Sequence, residues 1–241
     1  TMEQLQSVLS PRTRAIIVNS PSNPTGAVYP RQTLKEIAAF ALKHRLWILA
    51  DEIYEHLTYQ GESYTSIAAL GQEVYDQTIT INGCSKTYAM TGWRIGYLAA
   101  PKPVATAVST LQDQVTSNAT TFAQIGAIEA LNLPEEAVAA MRDEFHVRRD
   151  LMVRLLNEIP GVECATPGGA FYVFPDVRAH LRDCLTDPQL ADWLLQEAHV
   201  ATIPGAVFEG PGHLRLSYAT SRERIEEGVA RIARALAKQA P

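Results

Sequence analysis

Two short apolar, β-branched runs separated by one helical pattern constrain the fold of this chain most strongly. Residues 15–18 and 46–50 have the composition of strands that are buried on both faces of a parallel sheet. Between them, Pro30 suits the first turn of a helix, and apolar residues recur at helical spacing through His44. Because parallel neighbours need a crossover connection, this segment predicts a βαβ unit of an α/β fold.

Further strands and helices follow along the chain. Strands are predicted at residues 78–81 and 95–100, then an interrupted helical region at 104–133. A long amphipathic helix comes next and is stopped by Pro160 and Gly161. The remainder alternates helices with short strands, which are predicted at residues 162–165, 170–174, 201–203 and 214–218. We place a domain boundary at the start of the long helix, between residues 135 and 136.

The composition argues against several classes of function. A net charge of −5 is unlike a nucleic-acid-binding protein, which needs clustered excess Lys and Arg. The three cysteines, Cys84, Cys164 and Cys184, fit neither a disulfide framework nor a paired-cysteine zinc site. The histidines show no metal-binding spacing, and no apolar run reaches the length of a membrane span. We therefore expect a cytoplasmic protein with no metal, nucleic-acid or membrane partner.

Polar residues that can carry chemistry follow three of the predicted strands. They are Asn23 after the first strand, Asp51 and Tyr54 after the second, and Lys86 after the third. Ligand sites in open α/β sheets gather beyond the carboxyl ends of the strands. A strand-end aspartate alone is most often a helix cap, and a lysine is most often a surface group. Four such residues at one edge indicate a ligand site, and Arg94 follows in a loop where it is positioned to hold a phosphate.

Four motifs in a fixed order carry a family resemblance. They are NPTG at residues 23–26, DEIY at 51–54, SKTYAMTGWRIG at 85–96 and GHLRLSY at 212–218. With these motifs the chain resembles the class I/II, fold-type I aminotransferases that use pyridoxal 5'-phosphate (PLP), and aspartate aminotransferases in particular. The resemblance implies the C-terminal half of a large, mostly parallel-sheet domain at residues 1–135. It implies a long interdomain helix and a smaller α/β domain at residues 136–241, without the N-terminal part of the family fold.

The resemblance implies a cofactor site for PLP. Lys86 matches the lysine that binds the cofactor as an aldimine and then acts as the acid/base catalyst. Asp51 matches the aspartate that pairs with the pyridine nitrogen, and Arg94 matches the arginine on the cofactor phosphate. Asn23 and Tyr54 match the groups that hydrogen-bond the phenolic oxygen of the ring.

The resemblance also implies a substrate site and a reaction. Arg215 matches the arginine that binds the substrate α-carboxylate, and Asn23 is a second candidate for that contact. Because Leu214 and Leu216 alternate with Arg215, the arginine should point to the opposite face of its strand. The implied reaction is transamination, which moves an amino group between an L-amino acid and a 2-oxo acid. The implied assembly is a homodimer.

Two alternatives stay open on these residues. A PLP-dependent C–S lyase or synthase on the same fold would share the lysine, the aspartate and the arginines. A truncated, non-catalytic domain is the other alternative, because the glycine-rich phosphate loop that the family carries upstream is absent from this sequence. The choice of substrate is open as well, since residues 116–121 (TSNATT) contain no arginine to pair with a second carboxylate.

Overall fold

Two compact units make up the chain in the computed structural model, which describes residues 1–59, 61, 63–181 and 186–238. The first unit consists of Thr1–Pro21 and Val28–Ala139, and the second of Ser22–Ala27 and Ala140–Pro241. The domain boundary between residues 135 and 136 stays a prediction. The assignment of the short segment Ser22–Ala27 to the second unit was not predicted. Cys184 lies outside the described residues.

The first unit is built on a four-stranded sheet with the order β1-β2-β3-β4. The strands are β1 (Ala15–Asn19), β2 (Trp47–Asp51), β3 (Thr78–Gly83) and β4 (Gly96–Ala99). β1, β2 and β3 run parallel, and their register sets Asn19, Asp51 and Ile81 side by side. β4 runs antiparallel to β3. The two are joined by a loop with a 3-10 turn at Thr91–Trp93 rather than by a crossover helix, and a parallel pair would need the longer connection.

One helix of the first unit packs on β1 and β2 of this sheet. The helices are α1 (Met2–Val8), α2 (Arg31–His44), α3 (Gln72–Tyr75), α4 (Lys102–Val115) and α5 (Thr121–Leu131), with a 3-10 turn at Ile67–Leu70. The buried face of α2, which includes Leu34 and Ile37, shares a core with Val18, Ile48 and Ala50 of the strands. The predicted strand–helix–strand unit is therefore present. The parallel register brings the carboxyl ends of β1, β2 and β3 to one edge of the sheet, where Asp51, Tyr54 and Lys86 lie.

The second unit combines helices with a small antiparallel sheet of order β5-β7-β6. Its strands are β5 (Tyr172–Val173), β6 (Ile203–Pro204) and β7 (Leu214–Ser217), with 3-10 turns at Arg178–His180 and Gly205–Phe208. Its helices are α6 (Glu135–Asn157), which begins in the first unit, α7 (Asp187–Trp193), which continues into a π-helical turn at Leu194–Ala198, and α8 (Arg222–Lys238).

An ion-pair cluster joins α6 to α8 within the second unit. The Glu144 carboxylate accepts hydrogen bonds from Nε of Arg148 at 2.7 Å and from Nε of Arg222 at 3.2 Å. These two guanidinium groups lower the pKa of Glu144 from its ordinary value of 4.5 to about 2. Because the cluster is partly exposed, it contributes little to the free energy of unfolding, and its main effect is to orient α6 and α8. Burial of one face of α8, including Ile225 and Val229, is the larger contribution.

The strand predicted at residues 162–165 is wrong. Glu163 alone forms a bridge there, to Asp176. The next residue, Cys164, has both backbone groups bonded to a side chain instead: its N–H donates to Asn157 Oδ1 at 2.8 Å, and its carbonyl accepts from Asn157 Nδ2 at 2.9 Å. A backbone that is satisfied by a side chain has no groups left for a strand ladder.

The turn at Ser22–Ala27 packs tightly on a loop of its own unit and needs a glycine. Gly26 has a φ of +67°, and its N–H donates to Ser22 O at 2.8 Å. The Gly26 carbonyl in turn accepts from the backbone N–H of Gly169 at 2.8 Å. A Cβ added to Gly26 would lie 2.4 Å from Cβ of Pro167 and 2.8 Å from the carbonyl oxygen of Gly169.

Gly26→Ala is therefore expected to lower the free energy of unfolding by about 2–4 kcal/mol, because it combines a left-handed φ with a backbone clash. Urea denaturation measures this. The matched control is Gly228→Ala in α8, whose added Cβ meets nothing within 4 Å. Because alanine favours the helix over glycine, this control should raise the free energy of unfolding by about 0.5–1 kcal/mol. A Gly26→Ala variant as stable as wild type would show that the turn is not held as described.

Candidate active site

The carboxyl ends of β1 and β2 are joined around Asp51. Nδ2 of Asn19 and the backbone N–H of Ser20 both donate to the backbone carbonyl of Asp51, each at 3.3 Å. The half-buried Asp51 side chain accepts through Oδ1 from the backbone N–H of Ile53 at 3.4 Å. The aspartate is thus held at the sheet edge by its neighbours. Sequence reasoning missed Asn19, although its place at the end of the adjacent strand was a usable signal.

Lys86 and Tyr54 lie together beyond the same edge. The loop after β3 turns back on itself, since the N–H of Tyr88 donates to Cys84 O at 3.3 Å and the N–H of Ala89 donates to Lys86 O at 3.2 Å. This turn places Nζ of Lys86 5.9 Å from the centroid of the Tyr54 ring. Tyr54 is buried and Lys86 is half-buried. A primary amine is therefore presented beside an aromatic phenol at the end of a parallel sheet.

A buried carboxyl next to Asp51 connects this edge of the sheet to neighbouring segments. Glu52, the residue after Asp51, is only 5% exposed, and its Oε1 accepts from Oγ of Ser66 at 2.9 Å. Its backbone N–H donates to Ile81 O at 2.9 Å, which ties the segment after β2 to β3. Burial raises the pKa of the Glu52 carboxyl above 4.5. Sequence reasoning read residues 51–54 as one motif and missed this supporting role.

Arg94 is placed differently from the other candidates of the first unit. It is exposed, and its backbone is left-handed with a φ of 54°. Its Nη1 donates to the backbone carbonyl of Thr91 at 2.9 Å, so this bond stays within its own loop. The predicted contact of Arg94 with a phosphate stays a prediction.

Arg215 and Asn23 are brought together in the second unit, although they are far apart in the sequence. Nη1 of Arg215 donates to Oδ1 of Asn23 at 2.9 Å. Leu214 and Leu216 are buried while Arg215 is half-buried, as expected for alternate faces of β7. A fixed guanidinium beside an amide is an arrangement that can bind a carboxylate.

Comparison with known proteins identifies the family of this chain. The family model described as aminotransferase class I and II matches residues 1–232. The chain belongs to the class I and II aminotransferases. Among curated relatives of the chain, a probable aspartate/prephenate aminotransferase of Aquifex aeolicus (strain VF5) is 46% identical over 238 residues. An aspartate aminotransferase of Geobacillus stearothermophilus is 47% identical over 236 residues. These alignments cover 98% and 97% of this chain but only 60% of each relative.

Solved structures of aminotransferases show the same fold. The aromatic aminotransferase from Pyrococcus horikoshii OT3 superposes with a TM-score of 0.93 at 41% identity, over 99% of this chain and 64% of that one. The aspartate aminotransferase from Rhizobium meliloti superposes with a TM-score of 0.93 at 39% identity, over 98% of this chain and 61% of that one. The predicted family and the predicted α/β, fold-type I class are confirmed. The present chain spans about three fifths of the length of these relatives.

Proposed function

We propose that the whole protein is a PLP-dependent aminotransferase that moves an amino group between an L-amino acid and a 2-oxo acid, with Lys86 as the catalytic residue. The observation that carries this is the Lys86 amine, 5.9 Å from the Tyr54 ring at the carboxyl edge of the sheet in a chain of this family. Amines in such positions serve both as nucleophiles and as acid/base catalysts.

The residues of the first unit fit PLP by their donor chemistry. A lysine amine suits an aldehyde, the Asp51 carboxylate suits a protonated pyridine nitrogen, and the Tyr54 hydroxyl suits a phenolate oxygen. When bound, PLP supplies the electron sink that weakens the bonds at the substrate α-carbon. With PLP bound, the Asp51 carboxylate would pair with the protonated ring nitrogen, and the Lys86 amine would take the proton from the substrate α-carbon and deliver it to the carbon of the cofactor's former aldehyde group. The roles predicted for Asn23 and Arg94 toward the cofactor stay predictions.

Arg215 is the proposed binding residue for the substrate α-carboxylate. Its planar fork of N–H donors matches the two oxygens of a carboxylate. Asn23 takes one of those donors and thereby fixes the orientation of the fork, and it is a second candidate for contact with the substrate. The fold does not favour the C–S lyase or synthase alternative, and every relative named above is an aminotransferase.

A homodimer is the proposed assembly of the whole protein. No residue of α4 is buried, and its Leu111 and Val115 are 64% and 70% exposed. On α5, Phe122, Ile125 and Ile128 are also more than half exposed. A helix with apolar residues on all sides is normally covered, and large exposed apolar patches mark interaction surfaces. These exposed faces support association, with the second copy as the proposed partner.

The predicted cytoplasmic location, and the predicted lack of nucleic-acid and membrane partners, stay predictions. Among the described residues, none of the helices combines the length and the apolar character that crossing a membrane requires.

Product analysis tests the proposed reaction. The whole protein, loaded with PLP, is incubated with one amino acid at a time and a 2-oxo acid acceptor. A new amino acid formed in equal amount to a new 2-oxo acid is the expected result. Formation of pyruvate and ammonia without a new amino acid would contradict transamination and support the lyase alternative. If no pair gave any product, the non-catalytic alternative would be supported.

A further inference from the structure

Two aromatic rings lie against the guanidinium of Arg215. Its Cζ lies 4.6 Å from the centroid of the Tyr172 ring and 5.0 Å from that of the Phe208 ring. Both distances are within the range of cation–π contact. Tyr172 comes from β5 on one side of β7, and Phe208 ends the 3-10 turn that follows β6 on the other side. We call Tyr172 and Phe208 the aromatic clamp.

The turn that carries Phe208 is itself fixed within the second unit. The backbone N–H of Ala206 donates to Oδ2 of the buried Asp187 at 2.7 Å. Gly205 donates its N–H to His213 O at 2.8 Å, and Gly210 donates to Gly205 O at 3.0 Å. The Phe208 ring is therefore carried by a turn whose backbone is held by these three hydrogen bonds.

Contact with the rings restricts how an anion can reach Arg215. The five N–H donors of a guanidinium lie in its plane. The Tyr172 and Phe208 rings occupy the space within cation–π distance of the guanidinium carbon, and Oδ1 of Asn23 accepts from Nη1. A carboxylate must then reach the N–H donors that these three groups leave open, and it meets a fork that they already hold in place. Holding a group in its bound orientation lowers the ordering cost of binding.

From this geometry we infer that Tyr172 and Phe208 are positioning residues for substrate binding. They hold the Arg215 guanidinium in the orientation in which it binds the α-carboxylate. The inference rests on the proposed role of Arg215 in transamination. Because the carboxylate stays bound in the same way throughout the reaction, the clamp strengthens substrate and transition-state binding equally. Its loss raises KM and leaves kcat unchanged.

The test is calorimetric binding of an unreactive carboxylic acid to the whole protein loaded with PLP. The probes are maleate and 3-phenylpropanoate, and the one that wild type binds more tightly is used. Phe208→Leu, which keeps an apolar side chain without a ring, is expected to weaken binding about tenfold, in line with a cation–π contact at a half-buried site. Phe208→Tyr keeps the ring and is expected to stay within about twofold of wild type.

Phe174→Leu is the matched control. The Phe174 ring packs on Phe208 at 6.3 Å, edge to face, and on His213 at 4.8 Å. If Phe208 acted only through general packing, Phe174→Leu would weaken carboxylate binding as much as Phe208→Leu. Circular dichroism checks the fold of each variant, and Phe208→Met replaces Phe208→Leu if the leucine variant does not fold.

The outcomes separate the clamp from the proposed function. Unchanged binding in Phe208→Leu, or absence of carboxylate binding in wild type, overturns the clamp even if amino transfer is observed. Weak binding in Phe208→Leu with near-normal binding in Phe208→Tyr supports the clamp even if no amino transfer is found, and the failure then lies with the proposed function. Where the enzyme is active, a higher KM at unchanged kcat in Phe208→Leu also supports the clamp, and a fall in kcat alone contradicts it.

Discussion

Replacing Lys86 with alanine is expected to lower kcat for amino transfer by at least about 1,000-fold, because one side chain serves both as the nucleophile and as the acid/base catalyst. Stability should change little, since Lys86 is half-buried in a loop and lies outside the sheet core. Single-turnover kinetics with a saturating amino acid measures the loss. Circular dichroism and urea unfolding confirm that the variant is folded.

Lys102→Ala is the matched control for this experiment. Lys102 is an exposed lysine in the first turn of α4, so its loss removes the same charge from the same unit. Activity close to wild type is expected for that variant. Loss of an acid/base catalyst lowers the rate by about 100-fold or more. If Lys86→Ala retained more than about one tenth of wild-type activity, Lys86 would therefore not be the catalytic residue.

Replacing Arg215 with alanine is expected to reduce kcat/KM for amino acids about 100-fold, mainly through KM, because a charge-assisted bidentate contact to the carboxylate is lost. PLP binding, measured by absorbance titration, should stay within a fewfold of wild type. Steady-state kinetics over a wide range of amino acid concentration separates the two constants. Arg215→Lys keeps the charge but loses the planar fork, so its kcat/KM should fall between those of alanine and wild type.

Arg154→Ala controls for the loss of a positive charge in the second unit. Arg154 is an exposed residue of α6 that pairs with Glu158 at 2.9 Å, and its removal should leave KM unchanged. Equal losses of cofactor affinity and of substrate affinity in Arg215→Ala would contradict a substrate-binding role. Arg215 would then be a structural residue that joins Asn23 to β7.

The sheet of the first unit was predictable because its signals are local. Apolar β-branched runs, a helical period and a proline at the helix start are all carried by neighbouring residues. The face on which Arg215 lies was predictable for the same reason, since alternation with Leu214 and Leu216 is a property of one strand. The antiparallel direction of β4 depends on the connection before it, and a loop of that length was the only sequence signal.

Features that depend on contacts between distant segments were not predictable from one sequence. Gly26 reads as an ordinary turn glycine until Pro167 and Gly169 are found against it. Phe208 gives no sign of a function until β6 and β7 pair and set its ring on Arg215. The failed strand at residues 162–165 has the same origin, because the competing partner was a side chain of α6.

The role of Lys86 is tested most directly by mapping where PLP attaches. The whole protein is incubated with PLP, reduced with borohydride and digested, and the modified peptide is identified by mass spectrometry. If Lys86 binds the cofactor, we expect about one pyridoxyl group per chain, on Lys86, with labelling reduced in Asp51→Ala, since the pairing carboxylate is lost. Labelling spread over surface lysines, or absent from Lys86, would contradict the role of Lys86.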